Sequence, residues 1–382
     1  CVAGTPPEPV KLSPVVHRLR QPGSPFRVAI VNAGQHREEV AAVLEHLDLR
    51  ADETLADSRG QSLSDMTATL IAQLGRCRSI ADAALVLVQG DTTSAFAGGL
   101  AAFHRGLPVA HLEAGLRSGI PDVPFPEEAH RRLLAVLATM HFAPTDQARA
   151  NLRAMGIARS QIAVTGNTSV DALRLFGGSS PAAARTVLGL DTHRIVLVTL
   201  HRRESWNGGL TQICEGIAAV IRDAPDTLAV FPLHGNPRVR DLVVERLGGL
   251  ARVRLLAPLP YRQFVTYLQA ADVVVTDSGG VQEEAATLGK QTLIVRDVSD
   301  RPEAIDAGVA RLVGTAAADV AQMLRNALRR GSSNACTDVY GDGRAAQRVV
   351  LTLNRWRAGL RPLLPRELEF RPVIAADRLA AG

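Results

Sequence analysis

Short apolar runs rich in Val, Ile and Leu alternate with segments of helical periodicity along almost all of this 382-residue chain. No other feature restricts the fold as strongly. Strand candidates fall at 27–33, 84–89, 108–112, 139–143 and 161–165, and again at 194–200, 227–232, 252–256, 272–276 and 292–295. Helix candidates lie between them at 38–47, 64–75, 93–105, 127–137, 209–222, 236–246, 261–270, 280–288, 316–330 and 344–358. The strands are nearly all apolar rather than alternating, the pattern of strands covered on both faces. Such an order predicts an α/β fold of parallel sheets with helices on both sides. A polar stretch, Phe176 to Ala182, divides the runs into two series. Two Rossmann-like, doubly wound domains are expected, 1–170 and 171–345, with a C-terminal helix and tail at 346–382 able to pack back on the first.

With 46% hydrophobic residues the chain can bury a full core. No apolar stretch reaches the ~18 residues of a membrane span. Residues 1–10 hold three prolines and no apolar run, so no signal-peptide pattern is read there and a cytoplasmic address is expected. Cys1, Cys77, Cys214 and Cys336 are scattered without a CxxC pair, which argues against a structural metal or a disulfide framework. The net charge is +5, carried almost wholly by arginine, as in a GC-rich genome; Lys11 and Lys290 are the only lysines. No basic block with interleaved aromatics points to nucleic acid. A mildly positive field suits a phosphorylated substrate.

In doubly wound sheets ligands bind beyond the carboxyl ends of the strands, so the residues just after each strand matter most. Asp91 follows the run 84–89 and precedes Thr92, Thr93 and Ser94, as a helix cap or as a reactive acid. Glu113 is the first residue past 108–112, two before Gly115. Pro124 and Pro126 lead into Glu127 and Glu128, residue types that also serve as plain helix starters. His201, Arg202, Arg203 and Glu204 follow 194–200, and His234 ends the next strand. After 272–276 come Asp277, Ser278, Gly279 and Gly280, then Glu283 and Glu284. Glycines at a helix mouth offer close backbone approach and free N–H groups to a phosphate. Two acids in the same first turn would repel it. A carboxylate aimed elsewhere suits ribose hydroxyls, so the stretch reads as a nucleoside diphosphate site with ribose on Glu284.

Six ordered segments, QGDTTS, HLEAGLRS, PFPEEAHRRL, TLHRRES, TDSGGVQEEAATLGK and RPEAIDAG, resemble the non-hydrolysing bacterial UDP-N-acetylglucosamine 2-epimerases over nearly the whole chain. The resemblance implies two Rossmann-like domains around a central cleft, similar to GT-B glycosyltransferases, in a homodimer without a cofactor. It implies reversible 2-epimerisation of UDP-GlcNAc to UDP-ManNAc through elimination of UDP and a 2-acetamidoglucal. Asp91, Glu113 and Glu127 match the family's catalytic carboxylates, and His201 its phosphate-side histidine. Ser278, Gly279, Gly280 and Glu284 match the UDP site, Arg301 a further active-site arginine, Phe264 a residue near uracil, and Lys11 the lysine of the first loop. Gln35, His36, Arg202 and His234 resemble the site of a second, activating UDP-GlcNAc.

The chain also departs from the family pattern. Its first loop reads Gly4-Thr5-Pro6-Pro7-Glu8 where the family has GTRPE, so Pro6 replaces an arginine. The family's ERQT is Arg59-Gly60-Gln61-Ser62, and RDTTERPEA begins Arg296-Asp297-Val298-Ser299-Asp300-Arg301. Three other activities keep a place beside the epimerase: a hydrolysing relative that releases UDP and ManNAc, a GT-B glycosyltransferase, and a weakened nucleotide-sugar binder.

Overall fold

A computed structural model describes residues 1–202, 206, 208–331 and 337–372. Arg203, Glu204, Ser205 and Cys336 therefore lie outside the described residues. The described chain divides into two compact units, Cys1–Leu175 with Tyr340–Pro372, and Phe176–Val339.

In the first unit β1 (Val2–Ala3), β2 (Val31–Asn32) and β3 (Glu53–Thr54) form one parallel sheet in the order β1-β2-β3. A second parallel sheet holds β4 (Val86–Gln89), β5 (Val109–Leu112), β6 (Met140–Ala143) and β7 (Ile162–Val164), in that order. β1 lies alongside β4, and Val2, Val31 and Val88 share one buried core. The spatial series is thus 3-2-1-4-5-6-7, with its reversal between β1 and β4.

The second unit has one six-stranded parallel sheet, from β8 (Arg194–Thr199), β9 (Thr227–Pro232), β10 (Val253–Leu256), β11 (Val273–Thr276), β12 (Gln291–Ile294) and β13 (Ala310–Leu312). Its order is β10-β9-β8-β11-β12-β13, all pairs parallel. Relative to β8 this is the 3-2-1-4-5-6 series of dinucleotide-binding folds, with the switch point between β8 and β11.

The apolar runs made the central strands legible; other elements escaped. The run 27–33 pairs only at Val31–Asn32. β1, β3 and β13 have two or three residues each, too few to show a period. The helix Pro7–Leu19 was hidden by its prolines. Pro6 already has helical φ and ψ, −53° and −36°, as the cap, and Pro7 stands in the first turn. There a missing N–H costs nothing, because no carbonyl precedes it to bond. The Gly/Ser stretch after Phe176 separates the helices Thr168–Phe176 and Pro181–Leu188. Among the described residues, no helix is long and apolar enough to cross a membrane.

The chain returns to the first unit at Tyr340, whose carbonyl accepts the Asn167 N–H at 2.6 Å. Both carboxylate oxygens of Asp171 then receive the first N–H groups of the helix Ala345–Arg357, at 3.1 and 2.9 Å. These are the orphan donors that every helix start must satisfy. Glu369 ties the last segment down through Arg149 at 3.1 Å and Arg159 at 2.8 Å.

Within β5 and β6, His111 and His141 stand directly opposite one another. Both are buried. The His111 Nε2 lies 2.7 Å from the Gly90 carbonyl, and neither ring nitrogen of His141 has a hydrogen-bond partner of good geometry. Burial pushes His111 down to about 4 and, with help from His111 and Arg117, His141 down to about 3. The unfolded chain therefore binds protons that the folded one refuses below about pH 6.5, and stability is lost as pH falls. Replacing His141 by Leu removes that penalty. Urea titrations at pH 7 and pH 5 are expected to show the variant gaining about 2 kcal/mol on wild type between the two. An equal gap at both pH values would contradict a buried neutral imidazole.

Candidate active site

In the first unit the polar groups gather where β1, β4 and β5 end. Glu113 leaves β5 with φ +63°, a left-handed backbone that non-glycine residues seldom adopt. Gly115 follows at φ +95°, and a Cβ there would sit 2.2 Å from the Ala148 carbonyl oxygen, so the turn that presents Glu113 needs glycine. Glu113 is only 8% exposed. Its Oε2 accepts from Lys11 Nζ at 2.5 Å and from Gln89 Nε2 at 2.7 Å. Lys11 comes from the helix behind the first loop, and Gln89 is the last residue of β4.

Two residues beyond Gln89, Asp91 Oδ2 accepts from Arg131 Nε at 2.7 Å and pairs with its Nη2 at 2.6 Å. Arg131 stands four residues after Glu127, one turn along the helix Glu127–Leu137. His130 Nδ1 lies 3.0 Å from the Asp91 carbonyl, and its ring stacks on Phe96 at 5.1 Å. The helix that begins with half-buried Glu127 is thereby fastened to the Asp91 turn. Buried Glu128 is not part of that opening: it faces Arg131 at 3.4 Å, Arg132 at 3.0 Å and the Ser118 N–H at 3.2 Å.

Behind these groups Glu8 clamps the first loop. Its Oε2 accepts the Gly4 N–H at 2.8 Å and the Thr5 N–H at 2.5 Å, and its Oε1 accepts the Thr92 hydroxyl at 2.8 Å. Burial pushes its carboxyl up to about 7, against the pull of those donors. Gln35 Oε1 accepts from the Ser94 N–H and hydroxyl at 3.1 and 2.7 Å, and the His36 N–H donates to the Gly4 carbonyl at 2.8 Å. Burial holds the His36 ring below the usual imidazole range. Arg59 is exposed and pairs with Asp57 at 2.6 Å and with Glu38 and Glu39 at 3.4 Å.

In the second unit the site residues cluster at the β8/β11 switch point. His201 and Arg202 follow β8; Asp277, Ser278, Gly279 and Gly280 follow β11 and open the helix Gly279–Thr287. The Ser278 N–H is already taken by Thr276 Oγ1 at 2.9 Å. That leaves the N–H groups of Gly279 and Gly280 at the helix start, where backbone donors have no partner within the helix. The Arg301 guanidinium lies against this turn, and a Cβ on Gly279 would come within 2.3 Å of it. Arg301 is buried and pairs with Glu283 at 2.7 Å and Asp300 at 2.8 Å. The acid that the sequence left unexplained is therefore neutralised. Its neighbour Glu284 accepts from the Tyr261 hydroxyl at 2.8 Å. Burial and the adjacent Glu284 keep that phenol protonated, well above the usual range. Phe264 stands one turn further along the helix Tyr261–Ala270, half-buried against the core. The His234 ring stacks on His201, with centroids 5.9 Å apart.

Gln89, Glu8, Tyr261 and Asp277 carry much of this geometry, and the sequence reading gave none of them a role. Gln89 offered a signal, as a polar residue closing an apolar strand. Tyr261 offered none, since its partner is 23 residues away. Lys11, one of the two lysines, meets a site carboxylate. Lys290 is buried and donates to the Gln269 carbonyl at 2.7 Å, a backbone role. Among the described residues no group of acids, His and Cys could hold a metal ion.

The chain is thus an α/β protein of parallel sheets, with carboxylates beyond one set of strand ends and a glycine-opened helix beyond another. The family model described as UDP-N-acetylglucosamine 2-epimerase matches residues 19–354. The chain is 40% identical to a probable UDP-N-acetylglucosamine 2-epimerase of Ralstonia solanacearum, covering 94% of this chain and 98% of that one. It is 38% identical to the UDP-N-acetylglucosamine 2-epimerase of Escherichia coli K12, covering 94% and 99%. The crystal structure of the UDP-GlcNAc 2-epimerase of Neisseria meningitidis, bound to UDP-GlcNAc, superposes with a TM-score of 0.86 at 35% identity, covering 93% and 98%. The chain belongs to the UDP-N-acetylglucosamine 2-epimerase family, and so to the isomerases.

The two glycines of the turn make separable demands. Gly279→Ala must displace a guanidinium held by two buried carboxylates, and is expected to lose about 1–3 kcal/mol of folding stability. A Cβ on Gly280 meets nothing within 4 Å, and Gly280→Ala is expected within about 0.5 kcal/mol of wild type. Denaturant titration of both variants checks this; equal stabilities would remove the packing of Arg301 on Gly279.

Proposed function

We propose that this enzyme interconverts UDP-GlcNAc and UDP-ManNAc by eliminating UDP to 2-acetamidoglucal and adding it back. The observation that carries the reading is the pair of carboxylates Asp91 and Glu113, fixed by Arg131, Lys11 and Gln89 just beyond the ends of β4 and β5, with Glu127 opening the helix that bears Arg131. The UDP-GlcNAc-bound relative at TM-score 0.86 supports the substrate.

The sugar has no carbonyl next to C2, so its C2–H cannot be acidified by simple enolisation. Elimination avoids the difficulty. The C1–O bond breaks and its electron pair leaves on the UDP oxygen. The C2–H pair becomes the C1=C2 bond, and the proton passes to a carboxylate. In the return step the opposite face of C2 takes a proton from an acid while the diphosphate oxygen bonds to C1 again. No hydride acceptor enters this balance. Two carboxyl groups serving opposite faces meet the demand for acid and base, and a nearby carboxylate steadies positive charge growing at C1.

Glu113 suits the base. Lys11 and Gln89 both donate to its Oε2 and hold the carboxylate in one place. The departing diphosphate needs oriented donors. The N–H groups of Gly279 and Gly280, the Arg301 guanidinium and the His201 ring would supply them. Glu284, its direction set by Tyr261, would take the ribose hydroxyls.

Proton NMR of UDP-GlcNAc with the enzyme in deuterated water tests the reading. The C2 proton signal is expected to disappear as UDP-ManNAc grows in, deuterated at C2. Accumulation of UDP with free ManNAc would replace the reversible reaction by a hydrolytic one. A retained C2 proton would overturn the elimination.

A further inference from the structure

The switch point of the six-stranded sheet holds a carboxylate to which neither the strands nor the proposed chemistry has given a task. Asp277 follows β11 directly and is 0% exposed. Three donors from the neighbouring strand's end converge on it. The His201 N–H reaches Oδ2 at 2.9 Å and Oδ1 at 3.1 Å; the Arg202 N–H reaches Oδ2 at 2.8 Å. The His201 ring Nδ1 lies 3.1 Å from Oδ1.

The strands beneath are locked in register, Thr276 beside Thr199, with their hydroxyls 2.7 Å apart. The Asp277 N–H donates to the Thr199 carbonyl at 3.3 Å. The carboxylate and the ring thus hang from two adjacent, fixed strand ends. A buried carboxylate is stable only when donors surround it, and despite its burial the attraction of His201 and these backbone donors holds Asp277 below the usual carboxylate range.

We propose that Asp277 is a positioning residue: by binding the His201 backbone and its Nδ1–H together, it fixes the ring's tautomer and attitude and turns Nε2 toward the ligand. This rests on the reading of His201 as the group that meets the diphosphate. The stacking of His234 fits the arrangement. His234 Nδ1 accepts the Asn236 N–H at 3.1 Å, so its own tautomer is set by backbone and its plane, 23° from that of His201, limits the tilt of that ring. With Nδ1–H committed to Asp277, Nε2 is the ring atom left for the ligand. A proton carried there is donated to a diphosphate oxygen, while the Asp277 carboxylate balances the ring's charge.

The test is the ¹⁵N spectrum of the ring nitrogens in histidine-labelled enzyme, with His201 assigned by its loss in His201→Gln. Wild-type enzyme is expected to show His201 with Nδ1 protonated in its neutral form. Asp277→Asn, which replaces an acceptor by an amide, is expected to shift the ring toward the Nε2–H form and lower kcat at least tenfold. KM for UDP-GlcNAc should change less than threefold. A neutral Nε2–H tautomer in wild-type enzyme overturns the inference without any variant. So does an Asp277→Asn enzyme with unchanged ring signals and kcat. Wild-type turnover in His201→Gln, with the Nδ1–H tautomer in place, would instead overturn the reading on which the inference rests.

Discussion

A charged group taken out of water must be met by donors or by an opposite charge. That constraint organises both units. Glu113 is held by Lys11 and Gln89, Asp91 by Arg131, Asp277 by two backbone N–H groups and an imidazole, and Glu283 with Asp300 by Arg301. Asp91, Glu113 and Asp277 each stand just beyond a strand's carboxyl end, and each has a partner from another element. The pairs contribute little net stability, since desolvation offsets most of the attraction. Their value is geometric. Each fixes a carboxylate, or a cation, in one orientation before any ligand arrives, which is what electrostatic catalysis requires.

The parallel sheets set where this can happen. Every strand of a parallel sheet ends on the same edge, so the chain's loops after β4, β5, β8 and β11 bring distant residues together. Lys11 and Glu113 are 102 residues apart, and His201 and Asp277 are 76 apart. The backbone also does its part. Glu113 at φ +63° is the kind of outlier that persists only where the surroundings over-determine it. Two anchoring donors on one carboxylate oxygen and the close passage of Gly115 over Ala148 provide that determination.

Much of this was legible beforehand. Buried parallel strands announce themselves as unbroken apolar runs, so most strands of both units could be placed, and with them the rule that strand ends carry the site. Asp91, Glu113, His201 and the glycines of 279–280 stand there. Partnership was not legible, because nothing local links Gln89 to Glu113 or Tyr261 to Glu284. Two adjacent acids beside a phosphate-like turn looked contradictory until Arg301 appeared against Glu283. The helix Pro7–Leu19 was illegible for a different reason: its prolines read as breakers, whereas Pro7 stands in the first turn and Pro14 is accommodated inside the helix. Pro6 now has a place as the cap of the helix that carries Lys11 toward Glu113.

The account makes Glu113 a proton carrier and gives the nucleotide to other residues. Glu113→Gln separates the two, because the amide oxygen can still accept from Lys11 and Gln89 while the side chain no longer takes a proton. Turnover of UDP-GlcNAc and UDP affinity by calorimetry would be measured on the same preparation. The account predicts a loss of turnover of roughly a hundredfold or more, the scale of a missing general base, with UDP affinity unchanged. Wild-type turnover in that variant would contradict it.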